Sequence, residues 1–537
     1  MGTGQGLIKK LDLKNPELGG ESYSFLWFLK EEYWFGLISI AFSGEIKRFP
    51  LSKKVPTRVL SKAGGEIHTQ RTSKQHTGNA MTRHGRLYLR DVVPPRSRFY
   101  DGRFGRLFPS LPPFLPDNPR VRKALLKLGE PDGIMDPGDN ANPENPNIPS
   151  GFTFFGQFVD HDLTFDPTSS LERQSDPEAI ENFRTPAFEL DSVYGSGPEA
   201  SPHLYDQFNP GKLLIDADFP NDLPRNSQNI ALIGDPRNDE NTIISQLQVA
   251  FIKFHNAVID KLELGVSDRT QRFEEAQSLV RWHYQWIVLH EFLPLIVGQE
   301  VVESVLKKGR QCYQWQNKPF IPVEFSVAAY RFGHSQVRPS FQVNDQFFAP
   351  IFDPTQDPRD PDPDDLSGGK RAPRRFVKWS NFFSIDGSTP QQSKRIDTTL
   401  SGPLFQLPFV PADTPSSLAQ RNLLRHLTFS LPSGQAVSRA LRIKPLSPEE
   451  LADLTEISPV LARRTPLWFY ILREADQRAG GKTLGPVGAR IVAEVFIGLL
   501  QGDRMSYLNQ DPDWTPTLGS HPGKFGIVDL LQFAGVA

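Results

Sequence analysis

Residues 151–166 read GFTFFGQFVDHDLTFD, with His161 set between two aspartates and four residues after Gln157. Side chains at i and i+4 of a helix lie on one face. A helical reading therefore brings Gln157 and His161 to one pocket, while the flanking carboxylates of Asp160 and Asp162 point elsewhere. A neutral imidazole in such a pocket can take a proton from one atom and return it to another, the work of a general acid–base group near neutral pH. Taken alone, the segment leaves three readings of His161 open: proton shuttle, metal ligand, or a hydrogen-bonded histidine of the core.

Three later segments carry compatible chemistry. Residues 234–241, GDPRNDEN, precede a helical pattern and hold Arg237, a cation able to stabilise charge that develops as an O–O bond breaks heterolytically. Glu240 lies three residues on. His334 follows a glycine in residues 330–338, YRFGHSQVR. A histidine that ligates iron needs its second ring nitrogen held by an acceptor, and Asn422 in residues 421–432, RNLLRHLTFSLP, offers a carboxamide oxygen for that purpose.

Together these segments resemble the animal haem peroxidases, the group that includes myeloperoxidase, lactoperoxidase and the cyclooxygenases. The resemblance runs from about Arg83 to Leu508. The family's Gln-x-x-Asp-His-Asp is matched by Gln157, Asp160, His161 and Asp162, and its Gly-Asp-x-Arg-x-x-Glu by Gly234, Asp235, Arg237 and Glu240. Its Tyr-Arg-x-Gly-His falls on Tyr330, Arg331, Gly333 and His334, and its proximal asparagine on Asn422. Four short motifs in family order with family spacings are far more specific than any one of them.

The resemblance implies a mainly α fold with haem b between central helices, in one large domain over residues 81–537. It implies distal work by Gln157, His161 and Arg237 and proximal iron ligation by His334, with Asn422 accepting from its other nitrogen. Arg331 and Arg425 are then the cations near the haem propionates. Asp160 and Glu240 match carboxylates that form ester bonds to haem methyl groups in the mammalian branch. Asn241 stands where a methionine would form a sulfonium link, which excludes that third bond. Asp162 matches a calcium ligand, and residues 185–195, TPAFELDSVYG, match the loop that supplies the others. There Thr185, the Ala187 carbonyl, Glu189 and Asp191 fall at alternate positions, so their oxygens share one side of an extended loop, as a hard cation requires. The implied reaction reduces hydrogen peroxide and oxidises a halide or a small organic donor.

The rest of the chain bounds this reading. Its net charge of −2 provides no global field for nucleic acid or an anionic membrane. One cysteine, Cys312, excludes an intrachain disulfide and a Cys-based zinc site. Residues 241–262, 271–297 and 487–508 carry helical periodicity, and no run of alternating strands is expected. Residues 1–80 read as an extension of uncertain order. Residues 83–149 read as loops around a core, and the acidic, Pro-rich residues 353–375 as a solvated surface loop. Residues 25–42, FLWFLKEEYWFGLISIAF, are broken by Lys30, Glu31 and Glu32 and read as a docked amphipathic segment, too short in its apolar parts to span a bilayer. The opening residues lack the apolar core of a secretory signal, so a cytoplasmic or non-classically secreted location is expected. The 39 phenylalanines suit a core or an apolar access channel. Two rival functions stand beside the peroxidase. In a fatty-acid dioxygenase of the cyclooxygenase branch, the radical tyrosine lies three residues before the proximal histidine; Arg331 holds that position here, and Tyr330 lies one residue further off. The other rival is a non-catalytic adhesive or structural member.

Overall fold

The computed structural model describes the backbone of four strands within residues 8–51. It describes residues 104–537 with their side chains, apart from 137, 139–141, 165–183, 264, 316–317, 356–359, 361, 370–371, 409 and 411–413. Contacts divide the chain into two units, Met1–Thr77 and Gly78–Ala537.

The first unit carries β1 (Ile8–Lys14), β2 (Ser22–Lys30), β3 (Tyr33–Phe42) and β4 (Glu45–Leu51), an antiparallel meander in the order β1-β2-β3-β4. Residues 25–42 are therefore most of a hairpin, with Lys30 paired to Tyr33 across Glu31 and Glu32. The charges that read as interruptions in a docked amphipathic segment fall where one strand gives way to the next, both rich in aromatic and β-branched residues. The remainder of residues 1–80, and residues 83–103 of the expected loop region, lie outside the described residues.

In the second unit helices dominate. The elements that frame the site are α1 (Pro119–Leu128), α2 (Gly151–Leu163), α3 (Thr242–Glu263), α4 (Arg269–Ile287), α5 (Leu418–Thr428), α6 (Leu467–Ala479) and α7 (Pro486–Gly502). Short two-stranded pairings, such as Glu144–Pro149 with Gln392–Lys394, stitch loops between them. Asn241 starts α3 by accepting the backbone N–H groups of Ile243 and Ile244 at 3.1 and 2.9 Å, satisfying donors that a helix start leaves open. Every residue of α3 as far as Ile252 is buried, as is most of α7, so these stretches run through the core. The helix beginning at Arg269 continues through a π turn, Val288–Phe292, into Leu293–Val297. The periodicity read over 487–508 stops at Gly502, where Asp503 turns to extended backbone.

Phenylalanine builds the packing between α2, α3 and α4. Phe158 stacks on Phe251 with ring centroids 4.5 Å apart, and Tyr284 meets both rings edge-on. Buried carboxylates fasten the connecting segments. Glu324 accepts from Leu107 and Phe108, Glu494 from Cys312 and Tyr313, and Glu474 from Val487 at the start of α7. The expected surface loop at 353–375 departs from that reading. Asp365, Leu366 and Arg375 are buried, and Arg375 donates to the Asp365 and Ser367 carbonyls and to Thr242. No described helix is long and apolar enough to cross a membrane.

Candidate active site

A cavity opens between α2, the 234–241 turn and the short helix Gly333–Gln336. Gln157, Asp160 and His161 line it from α2, Arg237 and Glu240 from the turn, and Arg331 and His334 from the opposite segment. Phe152, Phe154, Phe292, Phe332, Ile351 and Leu404 supply apolar wall, so phenylalanine serves both core and cavity. Asp160 shares the cavity instead of pointing away, and Thr164 donates to its Oδ1 at 3.2 Å.

His161 is 4% exposed. Its Nδ1 lies 2.7 Å from Asn238 Oδ1, and its Nε2 lies 3.9 Å from Glu240 Oε1. Burial, and then the Arg237 charge, push its pKa down to about 3, so the imidazole is neutral at ordinary pH. Gln157 donates to Glu240 and accepts from Asn241 at 3.2 Å. Arg237 is anchored rather than mobile. Its guanidinium pairs with Asp235 at 2.8 and 3.1 Å and donates to the His161 carbonyl at 3.0 Å. Burial opposes the Asp235 charge, but Arg237 and Arg184 together with neighbouring charge hold that carboxyl below the usual range.

On the other wall His334 has its exposed edge on the cavity, and burial followed by the charges of Arg331 and Arg425 pushes it down to about 3. The Asn422 side chain meets it with the opposite polarity to that expected. The amide nitrogen lies 2.7 Å from His334 Nδ1, while the oxygen accepts from Arg331 at 3.4 Å. The cation draws the carbonyl, and a half-turn of the amide would exchange the two ends. Tyr330 also lines the cavity, donating to the Gly156 carbonyl at 3.0 Å.

Asp162 faces away from the cavity and is fully buried. Leu190 N–H, the Tyr284 hydroxyl and the Asp191 carboxyl approach the Asp162 carboxylate, but among the described residues no hydrogen bond of good geometry is completed to either of its oxygens or to Oδ1 of Asp191. Burial, then the charges of Asp191 and Glu189, raise the Asp162 carboxyl well above the usual range; burial also raises Glu189 and Asp191. Thr185 hydrogen-bonds Glu189 and accepts the Ala187 N–H at 2.8 Å through its carbonyl. Among the described residues no three acidic, histidine or cysteine side chains converge as a metal cluster.

Several functional neighbours were not read from the sequence. Asn238 stood inside the quoted 234–241 motif without a role, and Gln248 was a polar residue in an apolar helical run, which is a usable signal. Arg184 gave none: it bridges Asp191 at 3.1 Å and Asp235 at 2.7 Å, bolting the 185–191 loop to the 234–237 turn. Gly234 is required there, because a Cβ on it would stand 2.5 Å from the Asp191 carbonyl oxygen.

Comparison with known proteins identifies the family and the fold. The model of a family described as animal haem peroxidase matches residues 172–517, a span that begins after His161 and includes Arg237, His334 and Asn422. Chorion peroxidase of Drosophila melanogaster is 29% identical over 372 residues, which cover 64% of this chain and 43% of the relative. Peroxidasin of the same organism is 27% identical over 312 residues, covering 53% and 19%. The chain thus spans less than half the length of these relatives. The solved structure of peroxidase A from Dictyostelium discoideum superposes with a TM-score of 0.53, covering 78% of this chain and 93% of that one. At 19% identity, that likeness speaks for the fold alone.

Proposed function

Because the chain belongs to the animal haem peroxidase family, we propose that it reduces hydrogen peroxide at a haem held between His161 and His334 while oxidising a halide or a small organic donor. The observation that carries this reading is one cavity lined by two neutral imidazoles from segments far apart in sequence. Haem supplies the redox chemistry when bound.

The residues present fit such a group. The cavity offers an apolar wall for a flat ring, a neutral imidazole on each side and Arg331 as a cation for a carboxylate arm, with the Arg425 charge near enough to act on His334. His334 would hold such a group best with its proton on Nδ1, where the Asn422 oxygen, exchanged with its nitrogen by a half-turn of the amide, would accept it. His161 Nε2 takes a proton from one peroxide oxygen and returns it to the oxygen that leaves as water. Arg237, held by Asp235, contributes a fixed positive field that favours heterolysis. Gln157 and Glu240 hold each other beside His161, and Glu240 with Asp160 supplies carboxylates for ester linkage. A calcium ion suits the buried Asp162 carboxylate, with Thr185, the Ala187 carbonyl, Glu189 and Asp191 as the other oxygen donors.

The test is an absorption spectrum of the haem-loaded protein followed by peroxide consumption with iodide, bromide and a phenol. A Soret band with donor-dependent peroxide turnover is expected; a loaded protein that leaves peroxide untouched overturns the reading in favour of a structural member. Tyr330 on the cavity wall supports a second reading, fatty-acid dioxygenation, which oxygen uptake with a polyunsaturated fatty acid would reveal.

A further inference from the structure

A buried chain of amides runs from His161 to the backbone of the 185–192 loop. Asn238 Oδ1 faces His161 Nδ1 at 2.7 Å. Asn238 Nδ2 donates to Gln248 Oε1 at 2.8 Å, and Gln248 Nε2 donates to the Ser192 carbonyl at 3.4 Å. Asn238 and Gln248 are both fully buried, where an unbonded amide is costly, so each end of each amide has to find its complement.

The polarity of this chain is set from its far end. A backbone carbonyl can only accept, so Gln248 must turn its NH₂ to Ser192 and its oxygen to Asn238. Asn238 must then give its NH₂ to Gln248 and its oxygen to His161. A carboxamide oxygen can only accept, so His161 carries its proton on Nδ1 and keeps the lone pair on Nε2, the nitrogen on the Glu240 side. We propose that Asn238 and Gln248 are positioning residues that lock His161 in the Nδ1–H tautomer, with the Ser192 carbonyl as the fixed reference of the chain. This rests on the reading of His161 as the proton-transfer group. Free rotation of the imidazole, or the other tautomer, would turn an N–H to the substrate where an acceptor is needed.

The anchor itself is firm. Ser192 follows Asp191 in a segment that Arg184 ties to Asp235, and Gly234 packs directly on the Asp191 and Ser192 carbonyls. The lock therefore joins α2, the 185–192 loop, and the 234–238 turn with the adjoining α3, three regions that lie apart in sequence.

The experiment is nitrogen NMR on full-length protein labelled at histidine and loaded with gallium protoporphyrin, a diamagnetic stand-in for haem. The His161 signal is identified by its loss in His161→Gln. A neutral Nδ1–H pattern is expected in the unaltered protein, a shift toward the Nε2–H pattern in Asn238→Leu and Gln248→Leu, and retention of Nδ1–H in Asn238→Asp, which keeps an acceptor in place. In the iron-haem protein the rate of reaction with peroxide should fall by about tenfold or more in Asn238→Leu and recover in Asn238→Asp, following the tautomer. An Nε2–H pattern in the unaltered protein, a measurement that needs no variant to fold, overturns the lock, as does an unchanged tautomer in Asn238→Leu. Nδ1–H in a loaded protein that does not react with peroxide would leave the lock standing and remove the peroxidase reading.

Discussion

The carboxamide nitrogen of Asn422 lies 2.7 Å from Nδ1 of His334, so the proximal pair is in hydrogen-bond contact before any metal arrives. His334→Ala should lose haem, since no other imidazole on that wall faces the cavity among the described residues. Asn422→Leu keeps size but removes the acceptor, and should weaken haem retention by roughly 10–100-fold, the usual range for a lost partner of a metal ligand. Haem transfer to apomyoglobin measures both. Unchanged retention in either variant would rule out the proximal assignment.

His161→Ala should retain haem but react with peroxide about 10²–10⁴ times more slowly, as is usual on loss of a general acid–base group. Stopped-flow mixing with peroxide reads this directly; an unaltered rate means the proton moves by another route.

Calcium should raise the melting temperature of the unaltered protein and have no such effect on Asp162→Ala, since two buried carboxylate oxygens without a completed hydrogen bond, beside two further carboxylates, are what the cation would satisfy. Metal analysis that finds no calcium in protein purified with calcium present would dismiss the site.

After cycling with peroxide, acid–organic extraction should leave haem on the polypeptide through one or two esters and no third bond. Asp160→Ala and Glu240→Ala should each remove one link, and the double variant should release all haem. Denaturing mass spectrometry before and after base hydrolysis decides the matter, and complete release from cycled, unaltered protein would reject covalent attachment.

His283 supplies a pH test. Its Nδ1–H donates to the Leu279 carbonyl at 2.6 Å while Nε2 accepts from Thr517 and Leu518, so only the neutral ring satisfies the site. Burial lowers its pKa from 6.5 to about 4. The unfolded chain therefore takes up this proton first: the stabilisation is complete above pH 6.5 and drains away as pH falls to about 4. It amounts to something on the order of 3 kcal/mol. Between those limits the unaltered protein should lose more stability than His283→Gln, as followed by urea unfolding. Parallel curves would contradict the assignment. Glu291 and Glu474, both raised to about 7 mainly by burial, act in the opposite sense in both proteins.

What could be read along the chain was local. The spacing of Gln157 and His161 is enough to place both on one helical face, because a helix repeats every few residues whatever surrounds it. Charge at Lys30, Glu31 and Glu32 did not reveal the hairpin, since a junction between two strands and a break in a docked amphipathic segment share the same composition.

The residue types and motif spacings by themselves determined the mainly α fold and the family, because those features repeat at fixed intervals along one stretch of chain. Only the tertiary structure decided which way the side chains at those positions turn. The Asn422 oxygen goes to Arg331 because a cation outcompetes a neutral ring for a carbonyl. The Asn238 amide is oriented from Ser192 through Gln248. Hydrogen-bond polarity passes through contacts between segments tens of residues apart, and no local spacing records it.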